Sequence, residues 1–414
     1  MCYYMYYTYG SFGCNISETL VTETAAAMVA RGFAAAGYTF VTVDDCWSSG
    51  RDQNGLLIAD RKTFPSGMAA LGATIHSMGL EFGIYGCSGL LTCERRPGSK
   101  GYEQLDARTF AAWGVDMLKY DNCYPDNERD VNGNSNMYAR ARYATMRNAL
   151  GDGIRLSVCE WGCNSPWEWA PTMASSWRTG SDIAPSWRHI LRSIDSNAPA
   201  WAAARPGAFN DPDMMEVGVG ALTPAQERSH FSAWVVMKAP LVMGCDVRTV
   251  SAESAALLTN AEAISINQDD LGLQAYRSHR EPGLDVWAGP LTGGRAVVLL
   301  LNRGETDFPV NLTWGQMGVV AGGPVRDVWA NSTMEATWGI NATLPPFDCI
   351  MLSVENASLT GSRFDEVPRA NTRPECFGPK EFPIIVVILV AAAVAILCCV
   401  WKKPKHHLLV RVEF

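Results

Sequence analysis

Short β-rich apolar runs recur through the first 275 residues, among them YTFVTV (38–43), EFGIY (81–85), VDMLKY (115–120), IRLSV (154–158) and PLVMG (240–244). Between them lie longer Ala-rich stretches such as TETAAAMVARGFAAAG (22–37) and ARTFAAWG (107–114), whose composition favours helix. Strands alternating with helices in this way predict a parallel sheet with crossover helices. From Tyr276 the texture changes to closely spaced runs, LDVWAG, AVVLLLN, FPVNLTW, VRDVWA and FDCIMLSV, separated by Gly, Pro and Asn. That spacing predicts an antiparallel β-sandwich over 276–356. Residues 357–381 are polar and Pro-containing, and read as a stalk. Phe382 to Trp401 then run for twenty residues without a charge. This length matches a bilayer core of about 30 Å. Trp401 stands where an interfacial aromatic belongs, and Lys402, Lys403 and Lys405 follow it. The pattern predicts a transmembrane helix over 382–401, a cytoplasmic tail over 402–414 and everything earlier on the outer side.

Composition narrows the function classes. The chain has 414 residues, 48% of them hydrophobic and 18% charged, which excludes disorder as its main state. A net charge of -8 argues against nucleic acid, whose phosphates need a basic stripe. Thirteen cysteines point to an oxidising compartment and, being odd in number, leave at least one thiol outside internal pairs. Five N-x-S/T sequons, at Asn15, Asn311, Asn331, Asn341 and Asn356, fit a glycosylated protein in the secretory lumen or outside the cell. The start, MCYYMYYTYGSFGC, lacks a basic segment followed by a long aliphatic run, so no signal peptide is visible in it.

The chemistry lies at the C-terminal end of each strand. VTV ends in Asp44 and Asp45, GIY in Tyr85 and MLKY in Asp121; LSVC delivers Glu160 and Trp161, SWRTGSD delivers Arg178 and Asp182, and AFNDPDM delivers Asp211 and Asp213. One Asp after a strand is commonly a helix cap, but capping does not account for acidic residues after five strands. Functional groups at successive strand C-termini predict a (β/α)8 barrel, whose active sites are built at that end. Carboxylates, Lys119, Arg178 and two aromatics on one rim describe a carbohydrate site. The reaction that suits them is glycoside hydrolysis, which needs one carboxylate as nucleophile or base and a second as proton donor. The six histidines form no HExxH or other metal-ligand spacing, no GxGxxG or P-loop follows a strand, and Gly86-Cys87-Ser88-Gly89 is not a serine-hydrolase elbow. No metal and no cofactor is expected.

DDCW (44–47), LKYDNC (118–123), CEWG (159–162), WRTGSDI (177–183), NDPDM (210–214) and SINQDDLG (265–272) resemble the α-galactosidases of glycoside hydrolase family 27. The resemblance implies a retaining mechanism on a (β/α)8 barrel followed by an antiparallel β-domain. It makes Asp121 the nucleophile and Asp182 the acid/base. It also implies that Asp44 and Asp45 bind the sugar's 4- and 6-hydroxyls, and that Lys119 and Arg178 hold further hydroxyls. Glu160 and Trp161 would crowd the 2-position, while Tyr85, Cys93, Asp213 and Met214 would line the pocket. Disulfides Cys14–Cys46 and Cys93–Cys123 are implied in the same way, and whether Cys159 pairs with Cys163 stays open. The expected partners are an α-galactoside and, through 382–401, a membrane; self-association into a homo-oligomer is allowed.

Two features depart from the family. Its members enter the barrel through a first strand carrying a Gly-Trp-Asn-like segment, whereas no Trp precedes Trp47 here. The first strand is therefore expected to be shortened or absent, leaving an edge in the barrel. A misassigned first exon would account for both this and the missing signal peptide. A membrane tail is also unusual for the family. Two other readings remain beside hydrolysis of α-galactosides: a tethered galactose-binding protein without activity, and an α-N-acetylgalactosaminidase.

Overall fold

The computed structural model describes residues 4–125, 136–335 and 338–360. Eight parallel strands form one sheet: β1 (Tyr4–Tyr7), β2 (Phe40–Val43), β3 (Glu81–Cys87), β4 (Met117–Asp121), β5 (Arg155–Cys159), β6 (Ser176–Arg178), β7 (Phe209–Asp211) and β8 (Leu241–Met243). Their order is β8-β1-β2-β3-β4-β5-β6-β7. The ring closes through Met215, just beyond β7: its N–H donates to Val242 O at 2.6 Å and its carbonyl accepts from Gly244 N at 3.0 Å. All four residues of β2 and all five of β4 are buried, as strands sandwiched between a barrel interior and outer helices must be.

The first strand, expected to be shortened or absent, is present. Met5 is in register with Phe40 on one side and Val242 on the other, and Tyr6 with Val41 and Met243. Both side chains are buried. Pairing uses backbone groups, and a run of aromatics suits a pleated surface, so YMYY fills the slot without the family's motif. The expected open edge is therefore not there.

Helices cover the barrel over most of the Ala-rich stretches, although residues 31–37 of the first are turns. Helix α1 (Glu18–Ala30) is capped by Ser17 Oγ, which accepts from Leu20 N at 3.2 Å, and it buries Val21, Ala25 and Met28 at helical spacing. Next come α2 (Met68–Ser77), α3 (Glu103–Ala112), α4 (Asn136–Leu150) and α5 (Trp187–Asn197). Helix α6 (Pro224–Val236) begins with a reciprocal Thr223/Gln226 capping box, and α7 (Ala252–Leu258) and α8 (Ala261–Asn267) complete the layer.

The C-terminal part is antiparallel. Strands 276–281, 284–291, 295–302, 349–354, 325–327 and 332–334 lie side by side in that order, and 308–313 pairs with 339–344. The run AVVLLLN is apolar throughout because its two faces serve different cores. Ala296, Val298 and Leu300 join the sandwich interior with Leu284 and Val286, while Val297, Leu299 and Leu301 pack with the barrel residues. Ser358–Leu359 pairs with Val319–Val320, so chain just beyond residue 356 is docked on this layer. All five sequon asparagines are exposed. The span expected at 382–401 lies outside the described residues; among the described residues no helix is long and apolar enough to cross a membrane.

Candidate active site

The C-terminal ends of β2 to β7 gather the residues singled out in the sequence. Asp44 follows β2 and is buried. Its Oδ1 accepts from Asp45 N at 2.8 Å and its Oδ2 from Lys119 Nζ at 2.6 Å. Asp45 is tied down as well, through Cys46 N at 2.7 Å and Glu94 N at 2.9 Å. Burial lifts its carboxyl above the ordinary value, only partly offset by those backbone donors.

Asp121 is the last residue of β4. Its Oδ2 accepts from the Tyr85 hydroxyl at 2.9 Å and its Oδ1 from Asn122 N at 2.9 Å, so both oxygens are held in place. Burial pushes this carboxyl up to about 6; the Lys119 charge pulls it down and Asp182 pushes it up again. Tyr85 is buried, and Lys119 lies over its ring at 5.6 Å. The Cys93 sulfur is 3.4 Å from Asp121 Oδ2 and forms part of the wall. Cys93 is bonded to Cys123, and Cys14 to Cys46. Gly89 lets the loop after β3 lie against the loop after β4: a Cβ there would stand 2.0 Å from Cys123 O.

Glu160 and Trp161 follow β5. Glu160 is fully buried, and its carboxylate accepts from Asn164 N at 2.9 Å, from the Asn164 amide and from Asn122 Nδ2 at 3.3 Å. Arg142 Nη2 in turn donates to Asn122 Oδ1 at 2.5 Å. Glu160 thus ties the loop after β5 to Asn122, the neighbour of Asp121. Trp161 is half-buried. Cys159 and Cys163 are not bonded to each other.

Arg178, the last residue of β6, is buried between two carboxylates. Its Nη2 lies 2.7 Å from Asp213 Oδ2, 3.1 Å from Asp182 Oδ1 and 3.2 Å from Gly180 O. Asp182 stands in the open mouth with 74% of its side chain accessible. What burial it has raises its carboxyl, but Arg178, Lys119 and Arg192 outweigh that and hold it below the ordinary value. Asp213 is 2% exposed and also accepts from Ile183 N and Met214 N, each at 2.8 Å. Its valences are filled by protein groups, so it braces the site from behind. Met214 is buried against Gly244, its sulfur 2.9 Å from where a Gly244 Cβ would stand.

Cys46, Trp161 and Asp213 have φ of 75°, 55° and 93°, in the left-handed region that side chains other than Gly avoid. Each directly follows or belongs to a strand-end acidic segment, a placement typical of strain held at a working site. Asn122, Asn164 and Arg142 were not singled out from the sequence. Asn122 and Asn164 lie one and four residues after a singled-out acid, the only local hint available, whereas nothing near Arg142 points to its role.

Residues 11–269 match the family model described as Alpha galactosidase A, and residues 281–354 that of the Alpha galactosidase C-terminal beta sandwich domain. The alpha-galactosidase of Oryza sativa subsp. japonica is 44% identical over 352 residues, covering 83% of this chain and 82% of its own. That of Coffea arabica is 44% identical, with 83% and 91% covered. Among solved structures, alpha-galactosidase I from Mortierella vinacea superposes with a TM-score of 0.81 at 30% identity, covering 87% of this chain and 98% of that one. The Saccharomyces cerevisiae enzyme with raffinose gives 0.77 at 28% identity, with 86% and 97% covered.

Proposed function

This chain belongs to the alpha-galactosidase family, and from that premise we propose how its residues carry the reaction. The protein is an α-galactosidase, a retaining glycoside hydrolase that releases terminal α-D-galactose. Asp121 attacks the anomeric carbon as its bond to the leaving oxygen breaks; that oxygen takes the electron pair and the proton of Asp182. The galactosyl ester on Asp121 is then opened by a water whose proton returns to Asp182, so both carboxyls end as they began. Asp44, Asp45, Lys119 and Arg178 hold the sugar, and Tyr85, Cys93, Trp161 and Met214 wall the pocket. Glu160 and Asp213 hold those groups in place. The observation that carries this reading is Asp121 itself, with each oxygen fixed by a separate donor and one further carboxyl, Asp182, open to the mouth beside it.

Asp121→Asn tests it. The variant should fold normally and lose at least about 10³-fold in turnover of a nitrophenyl α-galactoside, the scale of losing a nucleophile. Turnover within tenfold of the parent would overturn the assignment. The two other readings, a binding protein and an N-acetylgalactosaminidase, are not favoured beside relatives named as alpha-galactosidases at 42–44% identity.

We place the enzyme in the secretory lumen or outside the cell, supported by two disulfides and five exposed sequons. Attachment through 382–401 rests on the sequence pattern. Alkaline carbonate should leave the full chain in the membrane pellet; its release into the supernatant would refute the span.

A further inference from the structure

Arg178 Nη2 carries two hydrogens and meets three acceptors: Asp213 Oδ2 at 2.7 Å, Gly180 O at 3.2 Å and Asp182 Oδ1 at 3.1 Å. The three compete, and the shortest contact is to the most deeply buried carboxylate. An acid that must donate a proton is poorly served by an ion pair, because the guanidinium favours its charged form. For Asp182 to work, its share of Arg178 has to fall, and the buried guanidinium then needs another anion to hold it.

We propose that Asp213 is a positioning residue that anchors Arg178 and so governs how readily Asp182 takes and gives up its proton. The inference rests on the reading of Asp182 as acid/base. The surroundings are consistent with it. Asp182 is faced by Arg178, Lys119 and Arg192, with Asp121 and Asp213 beside it; Asp213 is faced by Arg178, Asp182, Asp211, Lys119 and Glu216. Asp213 is thus the carboxylate that both holds the guanidinium and adds negative charge behind Asp182. Its oxygen also accepts from Ile183 N, fixing the backbone next to the acid.

Helix α6 braces Asp213 from the far side. Trp234 Nε1 donates to Asp213 O at 2.7 Å, where the backbone sits at φ 93°. His230 packs edge-on against that indole, ring centroids 4.0 Å apart, and its Nε2 accepts from Glu216 N at 2.9 Å. Two side chains one turn apart therefore grip the segment from 213 to 216 at both ends.

The experiment compares two leaving groups. A dinitrophenol leaves without help, whereas a sugar needs its oxygen protonated, a contribution worth about 10²–10⁴-fold. Asp213→Asn keeps the acceptor for Ile183 N and removes the charge. In the full chain, kcat/KM should fall on both substrates as Arg178 holds the sugar less well, and at least about 10-fold further for a galactosyl oligosaccharide than for dinitrophenyl α-galactoside. In the oligosaccharide profile the limb set by Asp182 should move about one pH unit lower, as expected when Arg178 bears on Asp182 alone. Trp234→Phe, which keeps the ring and loses the donor, should shift both readings in the same direction by a smaller amount, and it carries the test should the Asn variant not fold. Equal losses on the two substrates, or an unmoved Asp182 limb, overturn the proposal. Asp182→Asn on the same substrates separates the two levels: strong dependence on the leaving group sustains its acid role, and no dependence removes both that role and this inference.

Discussion

At the scale of single residues, the site is a balance of burial against charge. Asp121 lies among buried groups, which pushes its carboxyl to about 6, and Lys119 is the cation that limits the rise. A nucleophile must be ionised. Activity is therefore present above that value and lost as pH falls through it, about tenfold per unit. With dinitrophenyl α-galactoside, whose leaving group needs no proton from Asp182, the acid limb of kcat/KM should lie near 6. Lys119→Met removes the counter-charge, so Asp121 should hold its proton to higher pH and the limb should move up by about one unit or more. The same change leaves Asp44 buried without its 2.6 Å partner, so a loss of stability should accompany it. A pH profile of the folded variant with an unmoved acid limb would show that Lys119 does not bear on Asp121.

At the scale of elements, most of the barrel is legible because parallel strands are buried on both faces and read as apolar runs. The first strand is the exception. YMYY carries neither the family's motif nor an aliphatic run, yet backbone pairing with β2 and β8 recruits it. The chemistry at strand ends is legible because β2, β4, β5, β6 and β7 end in, or run straight into, a charged residue where the apolar pattern breaks. What the chain does not announce is pairing across loops: that Arg178 belongs to Asp213, or that α6 braces the segment from Asp213 to Glu216, depends on contacts between residues far apart in sequence. Helix α6 also makes an element-scale prediction. His230 is fully buried and neutral, and burial pulls its ring down to about 3 from an ordinary 6.5. The unfolded chain takes up this proton below 6.5 and the folded one does not. Stability is thus present above 6.5 and lost as pH falls from there towards 3, by up to about 1.4 kcal/mol per unit. His230→Gln keeps an acceptor within reach of Glu216 N and removes the titration. Urea unfolding across pH should show the variant's deficit against the parent at pH 7.5 shrinking by at least about 1 kcal/mol at pH 4.5. The raised carboxyls at Asp121, Asp213 and Glu216 act in the opposite sense, but both proteins share them, so they cancel in the difference. Parallel curves would refute the account.

At the scale of the whole molecule, the question is what makes the antiparallel layer part of the enzyme. Strand 295–302 divides its side chains between two cores, so neither layer is complete without the other. A cluster of charges fixes their alignment. Asp195 of α5 accepts from Arg303 Nη2 at 2.8 Å and from Arg277 Nη2 at 2.5 Å, and both arginines also reach Asp285, whose side chain is fully buried. Trp187 Nε1, at the start of α5, donates to Arg303 O at 3.0 Å. Buried charges tolerate the loss of a partner badly, because the remaining charge has lost its hydration without compensation. Asp285→Ala removes the fully buried acid and leaves the part-buried Arg277 and Arg303 sharing Asp195 with Arg280, which should cost about 3 kcal/mol, with a clear drop in unfolding midpoint. Asp195 keeps about a third of its side chain accessible, where water substitutes for it, so Asp195→Ala should cost about 1–2 kcal/mol. The order of the two costs is the decisive reading from chemical denaturation of both variants. If Asp195→Ala proved the more damaging, the cluster would be held from the helix side, and Asp285 would not be the charge on which the junction depends.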